Sequence, residues 1–304
     1  MPSKGLGARS FLKVCTVRNL GVGAPTFPVA WCLHHKRRKE PEMLLQDKVA
    51  VIYGAGGAIG GAVARAFARE GATLFLTGHH RAPVDVVGKE IAAAGDSADV
   101  AEVDALDERD IDHHLRSVID QAGRLDISFN AVGLPNPKIR APLVELDLEQ
   151  FSLPIATYTR SYFLTARMAA RRMVANKSGV IMTITSTPSR TGTPFIGGGG
   201  AAMAAVEALT RGLSAELAPQ GIRVVGLRPQ GMPETDRIKQ AFESYAAASG
   251  MTWDQFEELL ASRTHTRRLS TLQEMANMAV FLASDTASGM TGTTVNLSMG
   301  SLDD

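Results

Sequence analysis

The segment Lys48–Gly60, KVAVIYGAGGAIG, decides the fold. Its first half, Lys48–Tyr53, is a short apolar run with no polar alternation, which predicts a strand buried on both faces. The second half is crowded with Gly54, Gly56, Gly57 and Gly60. A turn that brings the amides of a helix N-terminus up to a phosphate needs glycine, because a side chain would hold the anion away. A tight strand-to-helix turn with no ligand explains the glycines as well, so the loop by itself is a weak sign. Ile59–Glu70 follows as an alanine-rich helical stretch, and Gly71 is placed to end it.

The same alternation repeats along the chain. Strands are predicted at Thr73–Thr77, Val100–Val103, Leu125–Asn130, Val180–Ser186, Arg223–Arg228 and Thr293–Ser298. Helices are predicted near Asp85–Ala94 and over Asp107–Gln121, Leu148–Val174, Ala201–Leu217 and Thr271–Ala283. Pro154 is expected to kink the long helix or delay its start. A polar, helical insertion runs to about Arg268. Strands separated by helices argue for an α/β fold of Rossmann type: a three-layer, doubly wound sandwich around a seven-stranded parallel sheet. Ligands of such sheets bind beyond the C-terminal strand edges, where the strand order reverses.

Composition excludes several classes. With 45% hydrophobic and 21% charged residues and a formal net charge of +1, nothing suggests a nucleic-acid partner. No apolar run approaches the roughly 20 residues of a membrane span; Leu20–Leu33 is shorter and holds Pro25 and Pro28. Cys15 and Cys32 both precede residue 43, so no disulfide or thiolate metal site holds the main domain together. A cytoplasmic protein fits this pattern. Residues 1–42 differ in kind: up to Lys39 there is no Asp or Glu, and the stretch ends in a basic cluster at His34–Lys39. We expect a disordered or non-native extension, with an organelle-targeting peptide as the alternative. The domain proper is then 43–304, a single dinucleotide-binding unit.

Set in this frame, the glycine loop resembles the T-G-x-x-x-G-x-G fingerprint of the short-chain dehydrogenase/reductase family. Gly54 and Gly60 match it, Tyr53 stands in place of Thr, and Ala58 replaces the middle glycine. Asn130-Ala131-Val132-Gly133 resembles the family's N-N-A-G motif, and Arg228-Pro229-Gln230-Gly231 its P-G turn with one residue inserted. Glu274–Leu297 resembles the last helix and strand. The resemblance implies a dinucleotide site formed by Gly54, Gly56, Ile59, Gly60, Asn130, Gly133 and Pro229. It further implies that Asp104 meets the adenine amino group and that Thr235 contacts the nicotinamide amide.

Cofactor choice is read at the end of the second strand, where an acid would bond the ribose 2′-hydroxyl and favour NAD. Thr77-Gly78-His79-His80-Arg81 has no acid there. His79 or Arg81 can pair with a 2′-phosphate, so we expect NADP(H) in preference to NAD(H). An ordinary solvated loop is the plain alternative.

Family members use a serine, then Tyr-x-x-x-Lys thirteen residues later. The tyrosine moves the proton, and the lysine lowers its pKa and holds the ribose. Ser186 falls at the serine position. Counting forward reaches Gly199, and Ala204–Leu209, which resembles the segment after the lysine, places Met203 at the lysine position. Neither residue can do the original chemistry, and there is no lysine from Val180 to Ile238. The helix register puts Tyr158 near the family's fourth catalytic residue, an asparagine.

Three readings stand side by side. In the first, the chain is an oxidoreductase acting on a small carbonyl or alcohol, with Tyr158 supplying the phenol and Ser186 binding the substrate oxygen. In the second, it is a catalytically silent nucleotide-binding or scaffold protein. The third is an assembly role, or chemistry without hydride transfer. Packing with a backbone-bonded hydroxyl is the plain account of Tyr158. Gly197–Gly200 is either backbone closing over the lost tyrosine or room for a bulky ligand. The insertion Met232–Arg268 lies at the family's substrate lid, with Trp253 and Phe256 as docking residues and Arg263, Arg267 and Arg268 as a basic patch. The helices at 148–174 and 201–217 resemble those that pair across the family's subunit interface, which implies a homodimer or homotetramer.

Overall fold

In the computed structural model, residues 43–134, 141–234 and 236–303 are described. The extension 1–42 and Thr235 lie outside the described residues. Seven strands form one parallel sheet: β1 (Val49–Tyr53), β2 (Thr73–Gly78), β3 (Ala98–Glu102), β4 (Ile127–Asn130), β5 (Gly179–Ile184), β6 (Ile222–Pro229) and β7 (Thr293–Leu297). Their order is β3-β2-β1-β4-β5-β6-β7. The chain winds outward from β1 to β3, then returns to β4 on the other side of β1. The reversal therefore lies between β1 and β4, directly beside the glycine loop.

The helices among the described residues are α1 (Ala58–Arg69), α2 (Arg81–Ala93), α3 (Glu108–Ala122), α4 (Leu148–Met173), α5 (Gly199–Leu217), α6 (Asp236–Ala248), α7 (Trp253–Ser262) and α8 (Leu272–Ala283). They cover both sheet faces, because strand side chains alternate between faces. Ala50 and Ile52 of β1 join α1, α2 and α8 in one buried cluster. Val49, Val51 and Tyr53 join α3, α4 and α5 in the other. Phe67 of α1 is fully buried in the first of these clusters, and burial of such a side chain stabilises by about 1.5–3 kcal/mol.

Element ends follow local chemistry. Asp107 caps α3 by accepting the Arg109 and Asp110 amides, and Gly123 ends it with φ +74°. Thr271 and Glu274 form a capping box on α8, as do Thr252 and Gln255 on α7. Two helices begin at least two residues earlier than the sequence predicts. Helix α2 starts at Arg81, four residues before Asp85, because Pro83 suits a first turn and the Glu102 carboxylate of β3 accepts the Arg81 amide at 3.0 Å. Helix α5 starts at Gly199, where the glycines pack instead of forming a loop. Helix α4 starts at Leu148 as expected and runs on through Pro154. No helix among the described residues is long and apolar enough to cross a membrane.

Candidate active site

The site is built on the loops that leave β1, β2, β4, β5 and β6. Gly54 has φ +76°, and a Cβ there would lie 2.6 Å from the Ala131 carbonyl oxygen of the loop after β4. A Cβ on Gly60 would lie 2.3 Å from the Gly54 carbonyl oxygen. Both positions are closed to any other residue. Gly57 is the N-cap of α1 and offers no side-chain cap. The first-turn amides of Ala58, Ile59 and Gly60 are thus free of a capping oxygen, as an anion site requires. The Ile59 side chain packs against the core. Gly56 serves a different neighbour: a Cβ would meet Pro83 at 2.7 Å, so this glycine lets α2 approach. The cradle fits a pyrophosphate.

At the end of β2, His79 and His80 are exposed, with ring centroids 4.7 Å apart. His79 Nδ1 lies 3.9 Å from Asp104 Oδ2, and Asp104 Oδ1 accepts the Leu106 amide at 2.8 Å. Arg81 Nε faces Asp85 at 3.4 Å on an exposed helix surface. Such a pair is worth about 0.3–0.5 kcal/mol, so Asp85 holds Arg81 only loosely. Glu102, already engaged with the Arg81 amide, is an acid at this edge that local sequence reasoning missed. It comes from β3, whose place beside β2 only the sheet order fixes.

Asn130 is buried and organises the crevice wall. Its amide donates to Thr165 Oγ1 at 3.0 Å, and its Oδ1 accepts the Val132 amide at 3.2 Å. Among the described residues, nothing lies within 4 Å of a Cβ built on Gly133. Pro229 ends β6, and Gln230 follows with only 9% exposure.

Ser186 sits just past β5, half-buried. Its carbonyl accepts the Ser189 amide at 3.0 Å, and its hydroxyl makes no hydrogen bond among the described residues. Tyr158, half-buried on α4, accepts the Leu134 amide at 3.2 Å. Burial raises its pKa, opposed by that hydrogen bond, so the phenol keeps its proton at neutral pH. Gly199 and Met203 are both buried on α5.

The glycine tract is tightly packed. A Cβ on Gly198 would lie 2.0 Å from the Phe151 carbonyl oxygen, and one on Gly200 would lie 3.0 Å from that of Pro188. Backbone fills this space, so Gly198 and Gly200 leave no room for a bulky ligand.

The strongest polar feature of the site escaped the sequence reading. Arg228 of β6 and Glu207 of α5 are both buried and pair at 3.0 Å. Glu207 also accepts the hydroxyls of Thr185 at 3.1 Å and Ser189 at 2.6 Å. The carboxylate thus grips the chain on both sides of Ser186. One signal was available: an arginine in a strand covered on both faces demands a buried partner.

The insertion forms α6 and α7 around Phe242, which stacks on Trp253 at 6.1 Å and meets Phe256 edge-on at 6.1 Å. Of the basic residues, Arg268 pairs with Glu274 and Arg267 bonds the Ser262 carbonyl. Among the described residues no cluster of His, Cys, Asp and Glu could hold a metal.

Residues 54–301 match the family described as enoyl-(acyl carrier protein) reductase. The chain belongs to the short-chain dehydrogenases/reductases. It is 29% identical over 263 residues to 7α-hydroxysteroid dehydrogenase of Escherichia coli strain K12, covering 84% of this chain and 94% of that protein. A solved 7α-hydroxysteroid dehydrogenase with NADH and 7-oxo glycochenodeoxycholic acid superposes with TM-score 0.75 at 28% identity, covering 85% and 96% of the two chains. Gluconate 5-dehydrogenase from Burkholderia cenocepacia J2315, solved with NADP and tartrate, gives TM-score 0.75 at 27% identity, with the same coverage. These relatives are oxidoreductases, and their structures hold one or the other nicotinamide dinucleotide.

Proposed function

We propose that the chain is an NAD(P)(H)-binding oxidoreductase with an altered centre, acting on a small carbonyl or alcohol. The observation that supports it best is the cradle: Gly54 and Gly60 pressed against backbone, beneath an uncapped helix N-terminus. The dinucleotide supplies or takes the hydride. The chain must bind it, orient the substrate and handle one proton.

In this reading the amides of α1 hold the pyrophosphate, Asp104 faces the adenine, and Asn130 and Gly133 shape the wall between. Pro229 ends the strand beneath the nicotinamide half, and Thr235 is assigned to its amide by the resemblance alone. His79 and Arg81 favour NADP(H), since Asp85 holds Arg81 only loosely. Glu102 works the other way, because it places a negative charge at the same edge. Calorimetry with both dinucleotides decides: tighter NAD(H) binding ends the NADP(H) preference.

Gly199 and Met203 stand at the family's tyrosine and lysine positions, so proton transfer falls to another group. The Tyr158 phenol accepts from Leu134 and keeps its own proton to donate. That amide bond stabilises the phenolate, a weaker form of help than a lysine gives. Ser186, with its hydroxyl unbonded, binds the substrate oxygen. Tyr158→Phe is expected to cut turnover about 10²–10⁴-fold while leaving dinucleotide binding intact. Full turnover in this variant removes Tyr158 from the chemistry.

The buried Met203 favours a second reading, a catalytically silent nucleotide-binding or scaffold protein. Saturable dinucleotide binding with no turnover across a broad panel of carbonyls and alcohols would establish it.

We also propose a homodimer or homotetramer through α4 and α5. Phe163 on α4 is 41% exposed, and Ala201, Ala204 and Ala208 form an exposed small-residue face on α5. Sedimentation of a monomer at micromolar concentration would refute this.

A further inference from the structure

A buried ion pair is weak evidence for stability, since a well-packed apolar pair often does as well in its place. The Glu207–Arg228 pair therefore calls for another account, and its contacts supply one. Glu207 Oε1 accepts the hydroxyl of Thr185 at 3.1 Å and that of Ser189 at 2.6 Å. Arg228 Nη1 donates to both carboxylate oxygens, at 3.1 and 3.0 Å. Thr185 is tied to β6 as well, its amide donating to the Leu227 carbonyl at 2.8 Å. Ser189 closes a short 3-10 turn over Thr187–Ser189, and its amide donates to the Ser186 carbonyl at 3.0 Å. Ser186 is thus held through its neighbours and its own carbonyl, while its hydroxyl has no partner among the described residues. Gly199, Met203 and Glu207 lie on successive turns of one face of α5, and Glu207 is the one charged residue among those that this helix buries. An apolar pair could fill the same volume, but it would accept neither hydroxyl.

We propose that Glu207 is a positioning residue for Ser186. The carboxylate, oriented by Arg228, fixes the turn at 185–189 and so aims the free Ser186 hydroxyl at the substrate oxygen. It also takes up the hydroxyls of Thr185 and Ser189, so that neither competes for that oxygen. A donor fixed before the substrate arrives needs no reorganisation during the reaction. The inference rests on the oxidoreductase reading above, in which Ser186 binds the substrate oxygen. Glu207 acts through Ser186 alone and takes no part in proton transfer.

The test is a cycle of variants: Ser186→Ala, the pair Glu207→Leu with Arg228→Met, and all three substitutions together. Turnover is followed as oxidation of NADPH and NADH against a panel of small ketones and aldehydes, per mole of folded protein. Hydrogen exchange is read at the amides of Ser189, Arg190 and Thr191, which bond the Ser186 and Thr187 carbonyls. Ser186→Ala is expected to lower kcat about 10²–10³-fold, as loss of a preorganised donor does. The apolar pair is expected to lower kcat about 10- to 100-fold, the effect of a misplaced group, with dinucleotide dissociation constants unchanged. Exchange at the three amides speeds up by about tenfold or more as the turn loosens. The triple variant turns over no more slowly than Ser186→Ala, because the effect of Glu207 passes through that hydroxyl. Glu207→Gln keeps an acceptor oxygen for Thr185 and Ser189, so its losses are smaller than those of the apolar pair, and it carries the cycle if that pair does not fold. A merely structural role predicts a lower melting temperature and a loss that multiplies with Ser186→Ala. Multiplying losses, or unchanged exchange at the three amides, overturn the inference and leave the oxidoreductase reading intact. Absence of turnover in the unaltered chain overturns both.

Discussion

Gly54 and its neighbour Tyr53 show how differently adjacent residues can be read. Gly54 was legible in the sequence, since a turn aimed at a phosphate asks for glycine. The structure adds the cause, a positive φ and a carbonyl oxygen 2.6 Å from any Cβ. Gly54→Ala is expected to destabilise the chain by about 2–4 kcal/mol, from left-handed backbone strain plus overpacking. It should also abolish dinucleotide binding; thermal melting and calorimetry measure the two. Tyr53 reads in the sequence as a hydroxyl lost from the loop. In the structure its whole side chain turns into the core beside α3 and α4, where the phenol has no partner and burial raises its pKa. Tyr53→Phe is therefore expected to stabilise by about 1 kcal/mol in denaturant unfolding. An unchanged or lower midpoint would mean that the hydroxyl has a partner in solution, such as a bound water.

Among the elements, β5, β6 and α5 meet at the Glu207–Arg228 pair. Glu207→Gln removes a charge beside the buried guanidinium and is expected to lower stability by up to about 3–5 kcal/mol. The double substitution Glu207→Leu with Arg228→Met should recover most of that loss, since a well-packed apolar pair replaces a buried ion pair at little cost. Urea midpoints for the single and double variants measure the difference. Near-equal loss in both would show that the pair matters through its hydroxyl contacts to Thr185 and Ser189 instead. Elements as such were legible because a strand covered on both faces reads as an apolar run. The pair was not, because nothing local ties position 207 to position 228. The early start of α2 has the same origin: its cap comes from Glu102, on a strand that joins the sheet beyond β2.

The whole molecule responds to acid through His114. This side chain of α3 is buried, its Nδ1 lacks a partner, and its ring stands edge-on to Phe75. Burial lowers its pKa from 6.5 to about 4, with Asp99 opposing. The unfolded chain thus binds the extra proton first as pH falls. Stability is complete above about 6.5 and is lost between 6.5 and 4, by up to about 3 kcal/mol. His114→Phe should flatten the pH dependence of unfolding across that window, and an unchanged slope would assign it elsewhere. Glu274, held at about 2 chiefly by its hydrogen bond with Arg268, loses its contribution only below its ordinary value of 4.5, so the two effects separate.

Taken by itself, the sequence determined the class of fold, the order of its elements and the position of the nucleotide loop. These depend on short-range facts: apolar period, glycine spacing and cap residues act within a few positions. The tertiary structure decided that Gly56 admits Pro83, that Glu207 grips both sides of Ser186, that Gly198 and Gly200 are packed shut, and that Gln230 is buried with an unpaired oxygen. Each depends on groups far apart in the chain meeting at one place. Hydrophobic burial draws them together without regard to sequence distance, and most of the polar atoms buried there find a partner from a distant part of the chain.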